Sequence, residues 1–258
     1  MSAARFATQG YVRQCGWELA WAQTIGLAHT RFSEDAVGHV FAQPPAPAGP
    51  VYMAVADGVG SGARPEVAAQ TVVAHGLNLP ETALGDATAI AQWVHAADRV
   101  VAQAVAAVHH RPGAAMLVAA WLQADGTGHL AHVGDARAYR FDTRACALMP
   151  LTQDQTYDHL GEAPPAGGQG NDPARMVGSG CIGTPPVQPL ALAPFETLLL
   201  CTDGLYRGAD DATLTTILGA ATQHEGLDST ARDLCLAALR GGSTDDITVL
   251  LARRLPAT

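Results

Sequence analysis

The chain has 258 residues, 48% of them hydrophobic and 15% charged, with a formal net charge of −9. That length suits one large layered domain with a well-buried core, and the acidic balance excludes a general nucleic-acid binder, which needs a basic stripe to displace counterions. No apolar run approaches the roughly 20 residues that span a bilayer, and the N-terminus lacks a secretory apolar stretch, so a cytoplasmic protein with no membrane or nucleic-acid partner is expected.

Taken in chain order, residues 18–25 and 51–56 read as strands, being apolar or alternating and bounded by turn residues. Residues 65–79 and 87–110 are alanine-rich with apolar positions at helical spacing, and Asp86 stands ready to cap the second helix. Strands follow at 116–123, 129–141 and 196–202, helices at 211–223 and 228–240, and a last strand at 247–252. Two long helices in succession between groups of strands break any βαβα alternation, so an α+β fold with largely antiparallel sheets is predicted. The stretch 42–50 reads as a stiff proline-rich connection, and 161–175 is too rich in Gly and Pro to form a regular element.

Five cysteines, scattered and without a CxxC pair, give neither a disulfide framework nor a zinc site. Cys201 reads as a packed thiol, His132 as structural or surface, and the adjacent His109 and His110 as a solvated helix end.

Carboxylates recur where strands stop. Asp57 in "VYMAVADGVGSG", Asp135 in "LAHVGDARAYRF", Asp203 in "TLLLCTDGLY" and the pair Asp245 and Asp246 in "GGSTDDITVLLA" all sit at a strand end or break. A carboxylate there is costly if unpaired, and few of the fifteen basic residues stand beside these positions in the sequence. Two readings stay open at this level: a set of independent turns, or one site where a hard divalent cation such as Mg²⁺ or Mn²⁺ neutralises the group.

Seven pieces in order resemble the metal-dependent protein phosphatases of the PP2C type: "RFSED", "VADGVGSG", "PGAAMLVAAWL", "AHVGDARAYRF", "LTQDQT", "LLLCTDGLY" and "STDDITVLL". The resemblance implies a single catalytic domain over residues 1–258, a four-layer α/β/β/α sandwich of two antiparallel sheets flanked by helix pairs. It implies hydrolysis of phosphoserine and phosphothreonine by a metal-activated water at a two-ion Mn²⁺ or Mg²⁺ centre. In that pattern Asp57 bridges the ions, Asp203 and Asp245 complete one site, and the Gly58 carbonyl serves the other, with Glu34 acting directly or through water. Asp135 resembles the position of a weaker third ion, and Arg31 is the candidate for the substrate phosphate. Asp246 stands where the family usually has Asn and reads as an outer-shell or helix-capping group.

Departures from the pattern are specific. Arg31 lies three residues before Glu34 where four is usual, Ala114 and Ala115 replace hydroxyl residues, and Val59 stands where some members carry a histidine. The implied partners are phosphorylated Ser/Thr proteins made by a cognate kinase, the implied state is a monomer, and a loop at about 157–180 takes the place of the family's flap. Two alternatives share the fold: a catalytically weak phosphopeptide-binding regulator, and a small-phosphomonoester hydrolase.

Overall fold

Along the strand Val51–Gly58, Val51, Met53 and Val55 enter one apolar cluster while Tyr52, Ala54 and Ala56 enter another. A strand whose side chains alternate faces can bury an unbroken apolar run only if both faces are covered. Ala115–Leu122 repeats the pattern, with Met116, Val118, Ala120 and Leu122 on one side and Leu117, Ala119 and Trp121 on the other. These two strands therefore dictate layers above and below them.

The structure, a computed structural model, describes residues 4–27, 32–41, 50–221 and 226–255. The strands are β1 (Phe6–Gln14), β2 (Trp17–Thr24), β3 (Ala36–Phe41), β4 (Val51–Gly58), β5 (Ala115–Leu122) and β6 (Thr127–Val133), then β7 (Arg137–Asp142), β8 (Ala147–Pro150), β9 (Val187–Ala191), β10 (Glu196–Cys201) and β11 (Ile247–Arg254). Helices are α1 (Pro65–Leu77), α2 (Ala87–Ala106), α3 (Tyr157–Leu160), α4 (Asp203–Gly208), α5 (Asp211–Ala220) and α6 (Leu227–Arg240). One sheet runs β1-β2-β11-β10-β7-β8 and the other β3-β4-β5-β6-β9, with every pairing antiparallel.

Three apolar clusters separate four layers. One lies between α1, α2 and the five-stranded sheet, one between the two sheets, and one between the six-stranded sheet and α4 to α6. The predicted α+β sandwich is therefore the observed fold, and among the described residues no helix is long and apolar enough to cross a membrane.

Several boundaries differ from the sequence reading. The stretch 129–141 is two strands in different sheets, because Gly134 at φ +91° turns the chain from β6 across to β7. The helices end at Leu77 and Ala106, short of 79 and 110; Pro80 and Pro112 follow closely, and the residue before a proline is pushed out of the helical region. Asp86 caps α2 as predicted, accepting from the N–H groups of Thr88 and Ala89. Of the proline-rich connection, 42–49 lies outside the described residues, and so does the end predicted for the helix starting at 211.

Candidate active site

Antiparallel register brings the carboxylates to one edge of the sandwich. The end of β10 lies beside the starts of β11 and β7, since Cys201 pairs with both Val249 and Arg137. Asp203 leaves β10 two residues on, Asp245 precedes β11 by two, and Asp135 precedes β7 by two. In the other sheet Ala36 pairs with Ala56, so Glu34 arrives where β4 delivers Asp57. The two sheets meet at that edge around a cleft of about 630 Å³, lined by Glu34, Asp57, Gly58, Asp203, Arg207 and Asp245. Its opposite wall comes from the 157–176 segment, through Tyr157, Pro165 and Asp172.

The glycines after Asp57 serve close approach. None of Gly58, Gly60 and Gly62 has a positive φ, but a Cβ on Gly58 would fall 2.5 Å from the Pro65 carbonyl oxygen and 2.6 Å from that of Glu34. Glu34 reaches over the turn, with its Oε2 2.7 Å from where a Gly60 Cβ would stand. Glu34 is itself anchored: the Asp246 carboxylate accepts from its N–H at 2.6 Å and from the Gly26 N–H at 2.7 Å. Asp246 is thus a tie between loops and not a helix cap, because the chain after it enters a strand.

Charge crowding dominates the electrostatics. Burial, then the charges of Asp35, Asp203, Asp135 and Asp245, holds Asp57 well above the ordinary carboxylate range. Asp203 is raised by burial, against which the Arg207 guanidinium works, and Asp135 is pushed up to about 7 by burial and then by Asp203. Asp35 was missed by the sequence reading: it is buried, accepts from the hydroxyls of Thr202 at 2.9 Å and Thr248 at 2.7 Å, and is raised well above its usual value by burial. Its signal was only its place beside Glu34.

Arg207 is the second residue that sequence reasoning missed, a basic group beside the carboxylates. Its Nη2 lies 2.8 Å from Asp203 and 3.8 Å from Asp135; the spacing of four from Asp203 in a helix was the available sign. Asp135 itself is buried behind the cleft. Arg137 forks onto Asp154 at 2.7 and 2.6 Å and lies 3.5 Å over the Tyr206 ring, a structural role. His132 is buried and its Nε2 meets the Gln153 carbonyl at 2.9 Å, while burial pushes the Cys201 thiol far up, so neither is placed for chemistry. His109 and His110 stack on each other beyond the end of α2. Arg31 lies outside the described residues.

Among the described residues no three His, Cys, Asp or Glu side chains are gathered tightly enough to hold an ion as they stand. The donor chemistry still fits a hard cation. Asp203 Oδ1 is buried without a hydrogen-bond partner, and the set available is carboxylate and carbonyl oxygen, which Mg²⁺ and Mn²⁺ prefer.

The profile of the protein phosphatase 2C family matches residues 30–234. This chain belongs to that family. It is 30% identical over 214 residues to the serine/threonine protein phosphatase PstP of Mycobacterium tuberculosis, a match covering 80% of this chain and 40% of that protein. The chain thus spans less than half the length of that curated PP2C relative. The catalytic domain of PstP solved in complex with two manganese ions superposes with a TM-score of 0.68 at 27% identity, covering 93% of this chain and 99% of that one. The serine/threonine phosphatase of S. agalactiae shares the fold at TM-score 0.73 and 20% identity, with 92% and 99% covered. PP2C membership accounts for the order of the seven motifs and for the two-sheet sandwich that carries them.

Proposed function

We propose that the chain is a single catalytic domain acting as a protein serine/threonine phosphatase, hydrolysing phosphoserine and phosphothreonine with two Mn²⁺ or Mg²⁺ ions. What carries the reading is the meeting of Asp57, Asp203 and Asp245 with Glu34 and the Gly58 backbone in one cleft, from strands of both sheets. Asp57, Asp203 and Asp245 would hold one ion, and Asp57, the Gly58 carbonyl and Glu34 would hold the other. When bound, such a pair supplies Lewis acidity that eases deprotonation of water and draws charge from a phosphoryl group.

The chain's own residues set the rest. The described cleft residues include no histidine or cysteine, so the reading needs no covalent phospho-enzyme. Val59 lines the cleft at the position where some family members carry a histidine, and the reading takes water as the proton source for the departing alkoxide. The carboxylates repel an anion until cations neutralise them, so substrate binding follows cation binding. Arg31, by resemblance, orients the phosphate, and Tyr157 with Asp172 on the far wall contacts residues flanking it. The substrates are phosphorylated proteins of a cognate Ser/Thr kinase, in the cytoplasm.

Turnover of an aryl phosphate and a phosphothreonine peptide, with Mn²⁺ and with EDTA, tests this. Wild type should cleave both only with Mn²⁺, and Asp203→Asn should cleave neither. Absence of metal-dependent turnover would sink the reading, and turnover of the small phosphate alone would make the chain a phosphomonoester hydrolase.

A further inference from the structure

The Asp135 and Asp203 carboxylates are almost wholly buried, with side-chain exposures of 3% and 7%, and each leaves its Oδ1 without a hydrogen-bond partner. Such a pair needs a positive partner. In this chain one is built in. Arg207, on the same short helix as Asp203, places one nitrogen 2.8 Å from Asp203 Oδ2 and 3.8 Å from Asp135 Oδ2. Its side chain is 48% exposed and lines the cleft, while its guanidinium reaches the buried pair.

The surroundings hold it there. Tyr206 OH donates to the Asp135 backbone carbonyl at 2.9 Å, tying α4 to the loop that carries Asp135. The Tyr206 ring lies under the Arg137 guanidinium at 3.5 Å, and Arg137 is locked by its fork onto Asp154. Gly204 and Gly208 let α4 press against the backbone at Asp246 and Ala238, where a Cβ would collide. The reach of Arg207 is thus set by a helix fixed at both ends.

We infer that the Arg207 guanidinium is the resident cation of the Asp135–Asp203 pair, and that it excludes a further divalent ion from that pair. The inference builds on the proposed two-ion centre, in which Asp203 would also be a ligand, and it assigns Asp135 to Arg207 instead of to a third metal. A guanidinium stays protonated at every working pH, so this charge cannot be chelated away. The chain keeps a cation beside Asp203 whatever the free Mn²⁺ concentration.

Equilibrium dialysis against MnCl₂, with bound metal counted by mass spectrometry, tests this on the full chain. At equal free Mn²⁺, Arg207→Ala should hold one ion more than wild type, Arg207→Lys should match wild type, and adding Asp135→Asn to Arg207→Ala should remove the extra ion. Asp135→Asn alone, which keeps Arg207 should the alanine variant not fold, should leave the wild-type count unchanged. The inference is overturned if Arg207→Ala holds no more than wild type, or if Asp135→Asn alone lowers the count by one. A wild-type count of zero would instead sink the two-ion reading, while the difference between Arg207→Ala and wild type still decides the role of Arg207.

Discussion

Asp246 shows how a residue outside the chemistry can govern it. It is 2% exposed and its carboxylate accepts two backbone N–H groups, one from Gly26 and one from Glu34, more than 200 residues away in sequence. Asp246→Ala strands both donors, the Gly26 N–H buried and the Glu34 N–H only partly so, and a fully buried unsatisfied group costs on the order of 1–3 kcal/mol. The expected result in urea unfolding is a loss of about 2–4 kcal/mol, with Mn²⁺ affinity also weakened because Glu34 loses its tether. Asp246→Asn keeps one acceptor oxygen and relieves the charge that Asp246 sets against Asp35, so it should lose less than half as much. Equal losses in the two variants would show that the carboxylate is a spacer and not a tie. Nothing in the sequence distinguishes Asp245 from Asp246; only the register of β11 sends one to the cleft and the other inward.

At the scale of elements, the strands that were easiest to read are those buried on both faces. β4, β5, β10 and β11 carry continuous apolar runs, and the ends of each were found to within two residues, β4 running on through Gly58 and β11 to Arg254. The strands missed stand at sheet edges or are short and half-exposed: β1 is largely exposed, β3 has six residues, β8 four, and β9 carries Pro189. Proline is tolerated on an edge strand because no ladder donor is lost there, so Pro189 does not prevent a strand here. α4 escaped because six residues with glycine at positions 204 and 208 carry no helical period, and with it went Arg207.

The 161–175 segment was legible as irregular, and its attachments define what it can do. Thr156 bridges Pro173, the Asp158 N–H donates to the Gly170 carbonyl at 2.8 Å, and Glu162 pairs with Arg175. Both ends are therefore held, while 163–168 is mostly exposed. In hydrogen exchange, amides of 163–168 should exchange far faster than those of β5 and β10; protection equal to those strands would refute a moving wall. Tyr157→Ala, on the cleft side of this segment, should raise KM for a phosphopeptide several-fold and leave kcat on an aryl phosphate near wild type. A matching fall in kcat on both substrates would place Tyr157 in the chemistry instead.

Across the whole molecule, the two sheets bring their carboxylate-bearing ends to one edge, and the cost of that convergence is visible in protonation. Asp135 is pushed up to about 7 by burial first and Asp203 next, with Arg207 opposing, against about 3.9 in an unfolded chain. Because the folded state holds this proton more tightly, its contribution to stability is complete below about pH 4 and is lost as pH rises toward 7. His39 and His132, both lowered by burial, act in the opposite sense below about pH 6.5, so the wild-type curve alone mixes the two. Comparing wild type with Asp135→Asn cancels the histidines. In EDTA, wild type should lose stability relative to the variant between pH 5 and 7, by at most about 1.4 kcal/mol per pH unit. The difference should level off above pH 8. Mn²⁺ should stabilise wild type more at pH 8 than at pH 5, since ions bind the ionised carboxylates of the folded state and release their protons. Above about pH 7 the ionised Asp135 pairs with Arg207; a wild-type advantage over Asp135→Asn that grows with pH in EDTA from pH 5 upward would instead mean that the Arg207 charge outweighs burial and holds the folded-state pKa of Asp135 below its unfolded value.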